Sequence, residues 1–192
     1  MSRHIGYLFI APAFVILFFT SIYPVAFSFY FSFFDWNWGN QENFIGLDNY
    51  LFLLTDPEFW TVIYNTFVFA SISCFLEVTI GIILAIFVDR IVFCSTIIRT
   101  ILILPLMVSG IIVSMISKIM FNNLFGVIPY GLKQIDIRSS FFGSTEAAMP
   151  TLIGVDVWWQ TSFVFIIILA ALQGIPNDTV EAAKIDGASE WD

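Results

Sequence analysis

Residues 59–88 read FWTVIYNTFVFASISCFLEVTIGIILAIFV. Glu77 is the only charged residue among these thirty positions, and the stretch is dominated by aliphatic and aromatic side chains. A helix needs about 20 mainly apolar residues to cross the hydrocarbon core of a bilayer. The stretch therefore predicts a transmembrane helix, which makes lipid the solvent for this part of the chain.

Three further apolar runs have the length of a membrane span, and they cover residues 5–34, 100–121 and 150–172. The whole chain is 59% hydrophobic and 11% charged, whereas an ordinary soluble domain has about 45–50% apolar and about 25% charged residues. The sequence therefore predicts an all-α, polytopic transmembrane helical bundle with about four spans. Pro12 and Pro24 are expected to distort the first of them.

The basic residues that flank the spans predict an orientation. Those assigned to the cytoplasm are Arg3, Arg90, Arg99 and Lys184, and those assigned to the outside are Lys133 and Arg138. Because cytoplasmic loops are enriched in Lys and Arg, we expect a multi-pass protein of the plasma or inner membrane with a cytoplasmic N-terminus. The first run is longer than the apolar core of a signal peptide, so an uncleaved span is predicted.

The composition argues against enzymatic and nucleic-acid-binding functions. The formal net charge is −8, whereas a nucleic-acid-binding protein presents a basic face. The sequence contains no GxxxxGK[ST] phosphate loop, no pair of Cys-x-x-Cys motifs and a single histidine, His4. We therefore expect no catalytic residue, no metal site, no cofactor and no nucleic-acid partner.

Polar residues inside the spans are the candidates for a transport pathway. Glu77 lies mid-span, where a charge costs about 2.5–3.5 kcal/mol on insertion scales. It is either a pathway residue or a carboxyl group that is hydrogen-bonded to a neighbouring helix. Asp156, Trp158 and Gln160 combine an aromatic face with hydrogen-bonding groups, which suits a sugar. The alternative for these three is an interfacial aromatic belt with an acid at a helix start.

The segment after the fourth run has the pattern of a short helix on the membrane surface. It reads GIPNDTVEAAKIDGASEWD over residues 174–192. Pro176 stops the span, and Asp178 and Glu181 have the spacing of a capping box that opens a new helix. Gly187 suits the end of that helix. The small side chains between these positions allow the surface of another protein to come close.

Several motifs follow one another in the order found in a known transporter family. They are YLFIAPA at 7–13, YP at 23–24, SFFDWN at 32–37, FIGLDNY at 44–50, DPEFW at 56–60, NT at 65–66, RT at 99–100, LP at 104–105, VDVWWQ at 155–160, EAA at 181–183 and DGA at 186–188. Together they resemble the permease subunits of binding-protein-dependent ABC sugar importers, and the last two resemble the EAA signature. The resemblance implies the type I ABC importer permease fold. It also implies that an ATPase subunit is contacted by five residues: Glu181, Ala182, Ala183, Asp186 and Gly187.

The resemblance implies a division of the chain as well. Residues 1–58 are expected to hold the first span and an outer loop. Residues 59–192 are expected to hold the N-terminal part of the importer's transmembrane domain, truncated within the EAA loop, so that about four of an expected six spans are present.

The same resemblance implies a set of partners. They are ATP-binding cassette ATPase subunits, a second permease, an extracytoplasmic sugar-binding protein, membrane lipid and a carbohydrate substrate. Two other functions stay open. One is an ion-gradient-driven secondary transporter, in which Glu77 and Asp156 relay protons or ions, and the other is a membrane scaffold protein without transport activity.

Overall fold

A computed structural model describes residues 3–37, 43–91, 94–135 and 141–187. Within these residues the chain is helical apart from one short strand pair and the connecting segments. It divides into two units, Met1–Tyr64 and Asn65–Asp192. The predicted all-α, membrane-spanning fold is confirmed.

The first unit begins with a long apolar helical segment. Its parts are α1 (Arg3–Leu17), a π-helical turn (Phe18–Ile22) and α2 (Tyr23–Phe31). Proline lacks an N–H group, and its ring conflicts with the carbonyl group four residues earlier. Directly before Pro24, the Tyr23 N–H donates to the Phe18 carbonyl oxygen, five residues back. The distortion predicted at Pro24 therefore takes the form of this π-helical turn.

A strand pair and a short helix follow this segment. They are β1 (Phe34–Asp35), β2 (Asn43–Phe44), which pairs antiparallel with β1, and α3 (Asp48–Thr55). The Asn49 side-chain amide donates to the carbonyl oxygens of Ser32 at 2.9 Å and Phe34 at 3.1 Å. The Tyr50 hydroxyl lies 2.6 Å from the Ser32 hydroxyl. These hydrogen bonds fix α3 against the end of α2.

Helix α4 covers Pro57–Arg90, which is 34 residues. Its length is about 50 Å at 1.5 Å per residue, which exceeds the roughly 30 Å hydrocarbon core of a bilayer. Pro57 fits the first helical position because an N–H there has no intrahelical partner. Glu58 in the first turn and Arg90 in the last turn complement the helix dipole. The membrane-length helix predicted from residues 59–88 is confirmed.

The third apolar run is not one continuous helix, which corrects the expectation for residues 100–121. Its parts are α5 (Ser95–Ile103), a 3₁₀ turn (Leu104–Met107) and α6 (Gly110–Met120). The segments before and after the break are bent by 92°. Pro105 lies in the 3₁₀ turn, and Val108 and Ser109 have extended backbone, so the helical hydrogen bonds are interrupted there. The described residues contain three other candidate spans, and the bent pair makes a fourth if it crosses the membrane as one span.

The remaining helices are α7 (Val127–Lys133), α8 (Thr145–Gln173) and α9 (Asn177–Ile185). Ser144 caps α8, because its hydroxyl accepts from the Ala147 N–H at 3.3 Å. The apolar core of the second unit lies where α4, α5 and α8 meet. Its buried members are Ala85, Val88, Phe165 and Leu169, with Ile98, Leu102 and Leu172 among the partly buried residues around them.

Candidate functional site

One face of α4 carries small and polar residues at four-residue intervals, namely Ser73, Glu77, Gly81 and Ala85. All of them are buried except Glu77, which is half-buried. A Cβ atom at Gly81 would lie 2.7 Å from Cγ1 of Val164 on α8. The glycine therefore allows close approach of α8, as small residues do at helix interfaces in membranes. Glu77 belongs to this interface.

Glu77 meets a second acidic side chain there. Its carboxyl group lies close to the carboxyl group of Asp156 on α8, near enough for the two charges to interact. In the described part of the chain, Oε1 of Glu77 is buried without a hydrogen-bond partner. The structure thus brings together two of the four candidate pathway residues and leaves a polar atom between the helices.

Trp158 lies on another side of α8. Residues two apart in a helix are separated by about 200°, whereas residues four apart share a face. Gln160 therefore shares the face of Asp156, and Trp158 does not. Trp158 is 55% exposed and lines an apolar cavity of about 530 Å³ together with Val113 and Thr151. The four candidates form two groups, with the indole separated from the carboxyl pair.

Trp159 has a structural role that the sequence prediction missed. Its indole Nε1 donates to the Val108 carbonyl oxygen at 3.1 Å, across the break between the 3₁₀ turn and α6. A Cβ atom at Gly110 would lie 2.9 Å from Cη2 of the same ring. Pro105 followed by Gly110 could have indicated a break in the third span. A broken helix leaves carbonyl groups without intrahelical donors, so a donor such as an indole N–H is needed nearby.

The short helix predicted after the last apolar run is present as α9. The three residues 174–176 separate it from α8, and the Thr179 N–H donates to the Pro176 carbonyl oxygen at 3.1 Å. The helix begins at Asn177, so Asp178 lies in its first turn and not at the predicted N-cap position. Gly187 has φ of 88°, the left-handed conformation that ends a helix and favours glycine.

The five candidate coupling residues all lie in or directly after α9, and all are exposed: Glu181, Ala182, Ala183, Asp186 and Gly187. The Asp186 N–H donates to the Ala182 carbonyl oxygen at 3.0 Å, which continues the helical turn. The exposed surface combines two carboxyl side chains with two methyl groups and a glycine. Because the alanine and glycine side chains are small, the helix backbone is accessible, and a partner protein can contact both the backbone and the carboxyl groups.

Comparison with protein families identifies the chain. Residues 77–192 match the model of the family described as "Binding-protein-dependent transport system inner membrane component". The chain belongs to this family. The matched region of this inner-membrane transport component runs from Glu77 through α9, so it includes the carboxyl pair and the candidate coupling residues. With its membrane-length apolar helices, the family member is a multi-pass membrane protein.

Curated relatives of this inner-membrane component carry related names. The chain is 35% identical to the probable starch degradation products transport system permease protein AmyD of Thermoanaerobacterium thermosulfurigenes, over 96% of this chain and 63% of that protein. It is 32% identical to the trehalose/maltose transport system permease protein MalF of Thermococcus litoralis, over 98% of this chain and 64% of that protein. The chain thus spans less than two thirds of the length of these relatives.

A solved structure shares the fold of this family member. A chain of the bacterial ABC transporter involved in the import of the acidic polysaccharide alginate superposes with a TM-score of 0.81 and 25% identity. The match covers 97% of this chain and 64% of that chain. The permease fold implied by the sequence motifs is therefore confirmed.

Proposed function

We propose that this chain is a permease subunit of an ATP-driven carbohydrate importer, in which α9 couples the membrane helices to an ATPase subunit. The observation that carries the proposal is α9 itself. This short helix follows directly on the 29-residue helix α8 and exposes Glu181, Ala182 and Ala183. The ATP chemistry takes place on the partner, so the permease is not an enzyme.

The proposed mechanism is alternating access. An extracytoplasmic binding protein delivers substrate to the outer side, and closure of the paired ATPase subunits displaces the segment from Glu181 to Gly187. Only residues 174–176 link α8 to α9. Because this linker is short, a displacement of α9 moves the end of α8 as well. The membrane helices then rock and expose the pathway on the other side.

The proposal includes a second permease subunit and lipid as neighbours of the apolar surface. The segment Phe9–Phe31 is apolar and long enough to cross a membrane, so its side chains need lipid or another protein surface around them. We place residues 1–58 with the first span and an outer loop, and residues 59–192 with the transport domain. The N-terminus and α9 lie in the cytoplasm in this scheme, as the distribution of Lys and Arg indicates.

The proposed substrate is a carbohydrate. Relatives named for starch degradation products and for trehalose and maltose support this class, as does the structural neighbour named for alginate. Asp156 and Gln160 on one side of α8, together with Glu77 on α4, are proposed to face the pathway. Trp158 contributes an aromatic surface on which the C–H face of a sugar ring packs.

The carboxyl pair of Glu77 and Asp156 favours one alternative, a transporter driven by an ion gradient. Two acidic side chains in contact within membrane-length helices are typical of proton relays. This alternative predicts that an uncoupler abolishes uptake and that no ATPase subunit is needed. It gives no role to the exposed residues of α9.

The test uses the assembled transporter, with ATPase subunits, second permease and binding protein, in proteoliposomes. We expect Glu181→Ala and Gly187→Val each to lower ATPase co-purification and import by roughly tenfold, because central interface residues carry most of the binding energy. Glu146→Ala removes an exposed acid from the first turn of α8 and serves as the matched control. The coupling role fails if both α9 variants bind the ATPase and import substrate like the wild type.

A further inference from the structure

Arg99 on α5 holds the last residue of α8. With the Gln173 amide oriented so that its oxygen faces α5, Oε1 accepts from Nη1 of Arg99 at 3.0 Å and from Nη2 at 2.8 Å. A guanidinium group that donates twice to one oxygen fixes the position of that oxygen more tightly than a single donor does. The contact therefore joins two helices at the point where α8 ends.

The arginine is itself held in place by packing. It is half-buried, and its neighbours on α5, Ile98 and Leu102, pack against the buried core that includes Phe165. Nε of Arg99 is buried without a hydrogen-bond partner in the described part of the chain. The two Nη groups are thus the hydrogen-bonding part of a side chain that projects from a fixed helix toward Gln173.

The contact lies immediately before the link to α9. Gly174 follows Gln173, and its N–H donates back to the Ala170 carbonyl oxygen at 3.0 Å, so the α8 backbone remains helical up to this point. Helix ends fray unless their terminal groups find partners. A frayed last turn between α8 and α9 would absorb a displacement of α9 instead of passing it on.

We propose that Arg99 is a positioning residue for coupling: through Gln173 it fixes the end of α8 so that movement of α9 reaches the membrane helices. The inference rests on the proposed function, because it requires α9 to contact an ATPase subunit. A contact that only stabilised the fold would change thermal stability, and it would leave the coupling of well-folded variants intact. If Arg99 only bound lipid headgroups, substitutions at position 173 would not change the coupling.

The experiment compares two substitutions of similar size at the acceptor position. Gln173→Glu keeps an oxygen acceptor for both Nη groups, and Gln173→Leu removes it. Arg99→Ala removes the donors, and Thr100→Ala is the matched control, since Thr100 is exposed and its hydroxyl bonds within α5 to the Thr96 carbonyl oxygen. Each variant is assembled with its ATPase, second permease and binding protein in proteoliposomes.

The readout is the ratio of ATP hydrolysis with the cargo-loaded binding protein to basal hydrolysis, together with ATPase co-purification. We expect Gln173→Leu and Arg99→Ala to lower the ratio by roughly fivefold to tenfold, a typical coupling effect, with co-purification and thermal midpoint unchanged. Gln173→Glu and Thr100→Ala keep the wild-type ratio. The double variant Arg99→Ala with Gln173→Leu shows no further loss, because both changes remove one contact.

The inference is overturned if Gln173→Leu retains the wild-type ratio, or if Gln173→Glu and Gln173→Leu lose it equally. It is also overturned if the two single changes add in the double variant. If the Arg99→Ala protein fails to accumulate, the comparison of Gln173→Glu with Gln173→Leu still tests the inference. Failure of the proposed function has a different signature, namely a wild-type transporter whose ATPase neither binds the permease nor responds to the binding protein.

Discussion

The indole nitrogen of Trp159 donates a hydrogen bond to the Val108 carbonyl oxygen at 3.1 Å. This bond joins the middle of α8 to the point where the chain turns by 92° between the 3₁₀ turn and α6. Non-helical backbone at membrane depth is tolerated where protein groups satisfy its polar atoms. Trp159 is such a group, so the conformation of the break depends on α8.

We predict that Trp159→Phe destabilises the protein while leaving the aromatic volume largely in place. Loss of the N–H leaves the Val108 carbonyl oxygen without this donor, which costs about 1–2 kcal/mol. Thermal unfolding in detergent should show a midpoint lower by roughly 2–8 °C. Trp158→Phe is the control, because Trp158 is 55% exposed and faces a cavity. Equal midpoints for the two variants would contradict the role of the hydrogen bond.

We predict opposite outcomes for alanine at two helical glycines. At Gly81 the new Cβ atom would lie 2.7 Å from Val164 Cγ1, which forces α4 and α8 apart and costs about 1–3 kcal/mol. At Gly154 no described atom beyond the adjacent residues and the local helix backbone lies within 4 Å of the new Cβ atom, and alanine favours the helix by up to about 1 kcal/mol. The midpoint of thermal unfolding in detergent measures the change in stability for each variant. A Gly81→Ala protein as stable as Gly154→Ala would argue against the close α4–α8 contact.

We predict that Glu77→Gln retains stability and ATP-driven import, whereas Glu77→Ala loses stability. An amide at position 77 can donate to a side-chain oxygen of Asp156, whereas alanine removes the polar neighbour of Asp156 from the interface, at a cost of about 1–3 kcal/mol. Asp89→Asn is the control, an exposed acid near the end of α4. Import is measured with and without an uncoupler. If Glu77→Gln abolished import, and an uncoupler did the same to the wild type, the pair would be a proton relay.

The spans and the surface helix were predictable because they depend on local composition. A run such as residues 59–88 can satisfy its backbone in lipid only as a helix, and α4 forms there. The helix α9 was equally local, since Pro176 ends the preceding span and Gly187 provides the left-handed residue after the helix. The helix begins at Asn177, two residues before the start that an N-cap at Asp178 predicts, and composition does not determine this boundary.

The break in the third span was not predictable from hydropathy. Residues 100–121 are apolar throughout most of their length, and apolar composition does not report the extended backbone at Val108 and Ser109. Pro105 marked the region, but the angle depends on the packing of the Trp159 ring against Gly110. That contact joins residues far apart in sequence.

The pairing of Glu77 with Asp156 also depends on packing between distant helices. From the sequence, Asp156, Trp158 and Gln160 looked like one polar and aromatic group. Helical geometry places Trp158 on a different face, and the close α4–α8 contact at Gly81 sets which residue Glu77 meets. The sequence also does not distinguish the roles of the two adjacent tryptophans. Only the structure shows that Trp158 lines a cavity and that Trp159 contacts the helix break.

We propose that α9 lies in the cytoplasm, where an ATPase subunit contacts it. Accessibility of position 183 tests this placement: Ala183→Cys is introduced into the assembled transporter, after replacement of Cys74 and Cys94 by serine. A membrane-impermeant maleimide should label this cysteine in inside-out vesicles and not in right-side-out vesicles, and added ATPase subunit should protect it. Labelling of residue 183 in right-side-out vesicles would contradict the cytoplasmic placement of α9, because no cytoplasmic ATPase could then reach it.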